Sequence, residues 1–292
     1  MAAEVDDRFG ISWRPELAAG VFLNRELVDC VEVISDDYLD ADAKRVRALA
    51  TLARELPVLM HSIHLGPATT HVVDGRRIEK IARLLDRVRP EAWSEHLAFV
   101  RAGGIEIGHL AAPPRDRATV EGTLANLDRI RRITGTLPEI ENIATLLEPP
   151  GSVLTEAAWL ASLFSQCANG WLLDLHNVHA NALNFGFDPR AFLAALPLDR
   201  VGTIHVAGGC WIEDRRARRR YLDDHLHPVP DPVYELLALT AERAPRRLTV
   251  ILERDGAFPL TEVWLAELGR ARQAVAEGRS RRRIHPHELA AI

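Results

Sequence analysis

The sequence predicts a (β/α)8 barrel of the TIM-barrel class, and three observations lead there. Eight short runs rich in Val, Ile and Leu alternate with longer amphipathic stretches, the order that parallel strands with crossover helices produce. Eight such units close a barrel. No G-x-G-x-x-G turn follows the first run and no P-loop is present, so the signatures of a doubly wound sheet are missing. Division by a domain size of about 150 residues suggests two domains, but α/β barrels of about 250 residues form one. The expected layout is one barrel domain over 1–278 and a basic, mobile tail over 279–292.

The strand candidates are FGISW (9–13), CVEVIS (30–35), PVLMHSI (57–63) and WSEHLAF (93–99), followed by PEIENI (138–143), GWLLDLH (170–176), VGTIHVA (201–207) and LTVILER (248–254). Each is short and apolar, as strands buried on both faces must be. Between them, stretches such as DADAKRVRALATLARELP and LTEAAWLASLFSQCA place apolar residues at spacings near three and four, which predicts helices.

Composition narrows the function. With 36 basic and 41 acidic residues the net charge is −5, which disfavours a nucleic-acid or anionic-membrane binder. Apolar residues at 47% mark a globular chain with enough material for a large core. Cys30, Cys167 and Cys210 are odd in number and widely spaced, so no disulfide framework is implied and a reducing cytoplasm fits. The opening MAAEVDDRFG has neither a basic nor an apolar signal region, and no apolar run reaches the roughly 18 residues of a membrane span.

Polar residues gather where the strands end. His64 follows the third strand, His96 lies in the fourth, and Glu141 with Asn142 lies in the fifth. Asp174, His176 and Asn177 end the sixth in LLDLHNVHANA, which continues to His179 and Asn181. His205 is in the seventh strand, Glu253 and Asp255 close the eighth, and Asp223 with His225 falls in the loop after the seventh. Barrel active sites are built at the C-terminal strand ends. Buried imidazoles and carboxylates are costly unless paired or coordinated, so this conjunction points to metal. His61 is an odd number of residues from His64, should face the opposite side, and is assigned to structure. A nitrogen and oxygen donor set without Cys-x-x-Cys suits Fe, Mn or Zn, and its size suits more than one ion. Cys210 either lines a substrate channel or is inert, and Cys30 is read as core.

SIHLGP, SEHLAF, the Glu-Asn pair, DLHNVHAN, HVAGG, DDHLHPVPDPVY and LERDGAFP occur in an order that resembles the DUF692 family, the multinuclear non-haem iron-dependent oxidases. GISWRPEL matches that family's opening strand and turn, and the resemblance runs from about residue 9 to 270. It implies a TIM barrel holding two or three irons in mixed Fe(II)/Fe(III) states, with dioxygen as co-substrate. The implied substrate is a ribosomally made precursor peptide, modified at cysteine or at asparagine or aspartate, with a partner protein recognising its leader. By position it implies His64, His96, Glu141, Asp174, His205, Asp223, His225 and Glu253 as iron ligands. Asn142, His176, Asn177, His179, Asn181 and Asp255 are then supporting groups or alternative ligands. The chain departs from the family pattern at His176 and His179, and at ISDDYL (34–39), where Asp36 and Asp37 replace a Glu-Asn pair. The competing reading is a hydrolase or isomerase resembling xylose isomerase or endonuclease IV, which shares the fold and much of the donor chemistry.

Overall fold

The computed structural model describes residues 6–213 and 217–284. Eight parallel strands close a barrel: β1 (Arg8–Ser12), β2 (Cys30–Ile34), β3 (Val58–Ser62), β4 (Ala92–His96), β5 (Glu139–Glu141), β6 (Trp171–Asp174), β7 (Val201–Val206) and β8 (Thr249–Leu252). The nine α-helices among the described residues are α1 (Ala18–Leu23), α2 (Ala43–Glu55), α3 (Gly75–Val88), α4 (Arg117–Thr134), α5 (Glu156–Phe164), α6 (Leu175–Phe185), α7 (Pro189–Ala194), α8 (Asp231–Arg243) and α9 (Thr261–Ile284). The (β/α)8 expectation holds. None of the described helices is long and apolar enough to cross a membrane.

By internal contacts the chain divides into two compact units, Cys30–Leu172 and the remainder. In Cys30–Leu172, parallel pairing sets His61 opposite Ser94 and His96 opposite Glu141. Laterally paired residues share a face, so these four side chains share one. The helices of this unit begin on side-chain caps. Asp42 accepts from the Arg45 amide at 2.8 Å, and Asp116 with Thr119 forms a capping box at the head of α4. In α3, Ile78, Ile81, Leu84 and Val88 recur at helical spacing and are buried. Phe164 of α5 meets Trp171 of β6 at 5.1 Å between ring centroids. Truncating such a buried aromatic costs about 3–5 kcal/mol.

In the other unit, β1 pairs with β8 and β8 with β7, which sets Ile251 opposite His205. Glu267 of α9 is a buried tie. Its carboxylate accepts from the Val229 amide at 2.8 Å and from Arg254 Nη2 at 2.7 Å, one residue beyond Glu253. Helix α6 starts at Asp174 itself, whose side chain accepts from the Asn177 amide at 2.6 Å.

Three expectations change. Two antiparallel hairpins, unpredicted, interrupt the strand–helix alternation: Phe99–Ala102 with Ile105–Ala111, and Gly209–Glu213 with Arg219–Asp223. Asp223 therefore ends a hairpin strand rather than lying in an irregular loop. The basic segment expected as a tail from 279 is instead helical as far as Ile284. Arg279 donates to both oxygens of Asp7 at 2.7 and 2.9 Å and to the carbonyls of Ala241 and Arg246. A cation placed against a carboxylate and the carbonyls at the end of α8 holds that turn down. Residues 285–292 lie outside the described residues.

Candidate metal centre

The unit Cys30–Leu172 carries a compact triangle of donors. His61 Nε2 and His96 Nε2 lie 3.3 Å apart, and each is 3.2 Å from Glu141 Oε2. Atoms sharing one ion at about 2.1 Å, at angles between octahedral and tetrahedral, are separated by about 3.0–3.4 Å. All three edges fall in that interval. The rings are oriented for it. His96 Nδ1 faces the Ser62 carbonyl at 3.3 Å, so it carries the proton and Nε2 is left with its lone pair. His61 Nδ1 is 2.7 Å from Ser94 Oγ, which holds the second ring. His61 and Glu141 are each only 2% exposed, so the triangle is shielded from bulk water. Next to it, burial first and then the charge of Asp36 push the Glu95 carboxyl well above the usual range.

The other unit carries a longer run of donors. Asp223 Oδ1 receives two imidazoles, His176 Nδ1 at 2.6 Å and His225 Nε2 at 2.9 Å. His225 Nδ1 turns to Asp255 Oδ2 at 3.1 Å, and its Glu253 Oε2 neighbour is at 3.6 Å. Glu253 Oε2 is also 3.1 Å from His205 Nδ1, which stands 4.0 Å from Asp174 Oδ2. His176 Nε2 is buried and has no hydrogen-bond partner among the described residues. Burial works against charge on His225, but Glu253 and Asp223 outweigh it and hold its pKa well above the usual imidazole value. Burial likewise raises Asp223, yet His225 and His176 bring it below the ordinary carboxylate range. His179 is different: burial, then the neighbouring His176, lower it to about 4.

Of the predicted ligands, His96 and Glu141 come together in one unit, and Asp174, His205, Asp223, His225 and Glu253 in the other. His64 does not join the triangle. Strand β3 ends at Ser62, so alternation counted back from His64 has no meaning, and His61 occupies the position facing His96. His64 is 55% exposed and bonds Asp36 through Nδ1 at 2.7 Å. Asp36 also accepts from the Ile63 amide at 2.8 Å, so the departure at 34–39 is a brace for the loop after β3. His176, read as a supporting or alternative ligand, sits directly on Asp223. Asn142 accepts from Trp171 Nε1 at 3.2 Å, the Asn177 amide donates to the capping carboxylate of Asp174, and Asn181 is buried. His179 packs edge-on against Tyr221, and Asp255 is an exposed partner of Arg14 and His225. Sequence reasoning also missed Glu32, buried in β2; one acid inside CVEVIS is the signal that marks it.

The chain is similar to known proteins along nearly all of its length. Residues 8–276 match the family described as RiPP precursor modification enzyme MbnB/TglH/ChrH, RiPP denoting a ribosomally made, post-translationally modified peptide. A UPF0276 protein of Bordetella parapertussis is 32% identical over 275 residues, 93% of either chain. Another, from Caulobacter vibrioides, is 30% identical over 280 residues, 96% of this chain and 98% of that one. Among solved structures, the 3-keto-D-glucoside 4-epimerase of E. coli aligns with a TM-score of 0.58 at 14% identity, covering 92% of this chain and all of that one. A xylose isomerase domain protein of Planctomyces limnophilus aligns at 0.57 and 13%, covering 96% of this chain and 100% of that one. Those two likenesses show the barrel alone. The chain belongs to the MbnB/TglH/ChrH family of RiPP precursor modification enzymes.

Proposed function

We propose that the chain is a multinuclear non-haem iron oxidase that uses dioxygen to modify a residue of a ribosomally made precursor peptide, cysteine first, asparagine or aspartate second. One observation carries the iron reading: the triangle of His61, His96 and Glu141. Two imidazoles and one carboxylate, with the remaining positions open, are the donor set of non-haem iron(II) oxygenases. His176, His225 and Asp223 repeat that set, and His205 adds a further nitrogen 3.1 Å from Glu253 and 4.0 Å from Asp174, which supports a count of two or three ions. Membership in a peptide-modifying family supports the substrate class. A partner protein that recognises the peptide leader, and a cytoplasmic setting that keeps the three cysteines as thiols, complete the proposal.

Bound iron, in mixed Fe(II)/Fe(III) states, would supply the redox equivalents for dioxygen and an acidic position for a substrate thiolate. The protein's residues do the rest. The Ser62 carbonyl and the Asp255 carboxylate face the distal nitrogens of His96 and His225 and so orient both rings. The Asn177 amide fixes the Asp174 carboxylate beside His205. Burial of Glu141, Asp174 and His205 keeps bulk water away from these donors.

The test uses the full chain, loaded with iron under anaerobic conditions and given the precursor peptide encoded beside its gene. The expected result is a mass change in the peptide that requires dioxygen, with low iron content and no turnover in His96→Ala and Asp223→Ala. Full iron and full turnover in both variants would sink the reading. A zinc-loaded chain whose activity is indifferent to oxygen would favour the hydrolase or isomerase alternative.

A further inference from the structure

Cys210, Asp224 and His227 belong to none of the donor sets above, yet each presents one ligand atom within 4.8 Å of the others. Cys210 Sγ is 3.3 Å from Asp224 Oδ2, and His227 Nδ1 is 3.0 Å from Asp224 Oδ1. The backbone builds this arrangement. The second hairpin sets Gly209 opposite Asp223 and Cys210 opposite Leu222, so Cys210 and Asp224 flank the Gly209–Asp223 pair diagonally on one face. The His225 amide donates to the Gly208 carbonyl at 3.0 Å, and the Leu226 amide to Asp224 Oδ1 at 3.0 Å, which turns the chain so that His227 comes back toward Cys210. A methyl group at Gly208 would lie 2.2 Å from the carbonyl oxygens of His227 and Pro228, so only glycine permits this approach.

We propose that these three residues form a separate site for one zinc-class divalent ion. A thiolate, an imidazole and a carboxylate are a borderline-soft set that suits zinc better than the all nitrogen and oxygen sets described above. Three protein ligands leave the fourth tetrahedral position open, the pattern of sites that bind an exchangeable water or thiolate. That position has access to solvent: His227 is 46% exposed, whereas Asp224 beneath it is 14% exposed. The site differs in kind from the triangle of His61, His96 and Glu141, which is almost wholly buried.

The probe is Co2+, whose bond to a thiolate gives an intense near-ultraviolet charge-transfer band. The full chain and its variants are titrated with Co2+ anaerobically, and far-ultraviolet circular dichroism verifies their folding. The wild type should show the band, saturating at one thiolate-bound ion per chain. Cys210→Ser should lose the band, and His227→Ala and Asp224→Asn should keep it with at least tenfold weaker affinity. Cys30→Ser, Cys167→Ser and His96→Ala should leave it intact, the last even if iron and peptide turnover are lost. Absence of the band from the wild type, its survival in Cys210→Ser, or its loss in His96→Ala overturns the proposal.

Discussion

His176 Nδ1 lies 2.6 Å from Asp223 Oδ1, and this contact joins the first turns of α6 to the last residue of the second hairpin. It is held from behind by Asn184, whose side chain donates to the Tyr221 carbonyl at 2.9 Å and accepts from the Tyr221 amide at 2.8 Å. Asn184 is no donor to metal, but it sets the register of helix against hairpin. Asn184→Ala should therefore lower metal affinity about 10–100-fold while leaving every donor in place. It should also cost about 1–3 kcal/mol of stability. Metal titration alongside urea unfolding checks both; unchanged affinity would separate the hairpin from the donor cluster.

His61 and His64 provide a direct contrast. The first faces His96 and Glu141, and the second faces Asp36 near solvent. His61→Ala should lose about one bound metal ion per chain and at least 100-fold in turnover, a rise of roughly 3 kcal/mol in the barrier. His64→Ala should keep its full metal content. Elemental analysis of the two purified variants decides the matter.

Asp174 has two tasks that substitution can separate. As a helix cap it accepts from Asn177, and as an anion it stands near His205. Asparagine caps as well as aspartate, so Asp174→Asn should preserve the unfolding midpoint and lose metal. Asp174→Ala should lose metal and about 1 kcal/mol as well. Equal metal content in the wild type and Asp174→Asn would restrict the residue to capping.

His179 should make the metal-free protein sensitive to acid. Its folded pKa is lowered from 6.5 to about 4. Below pH 6.5 the unfolded chain takes up a proton that the folded chain refuses, so stability is complete above that pH and falls as pH drops toward 4. The side chain is partly exposed, so the loss is on the order of 1–2 kcal/mol after solvent screening. His179→Gln should flatten the slope of unfolding free energy across that window. An identical slope in both proteins would remove His179 from the acid response.

What the sequence revealed follows the cost of burial. His96, Glu141, His205 and Glu253 stand out because a polar side chain in a short apolar strand demands a partner. His61 stands in such a strand too, but assigning it a face requires knowing that β3 stops at Ser62, and that boundary depends on pairing with β4. The hairpin that carries Asp223 was hidden for a related reason. Its strands GCWIE and RRYLD bury little, so they lack the apolar run that marks the barrel strands. The Cys210, Asp224 and His227 cluster depends on that hairpin's register and was illegible without it.

Asp7 accepts from the amide of Leu248 at 2.8 Å and from the guanidinium of Arg279, and β1 beside it is paired with Thr249–Leu252. β1 is thus completed by residues some 241 positions further along the chain. A ribosome synthesises from the N-terminus, so β1 waits with an unpaired edge until β8 has emerged. The donors on β7 and β8 share that delay, because Arg254 and Glu267 tie the end of β8 to the final helix. The triangle of His61, His96 and Glu141 needs none of these late residues, so the two donor clusters come together at different points of synthesis. A chain interrupted before α9 lacks Glu267 and so meets its ion with the donors of β7 and β8 unbraced.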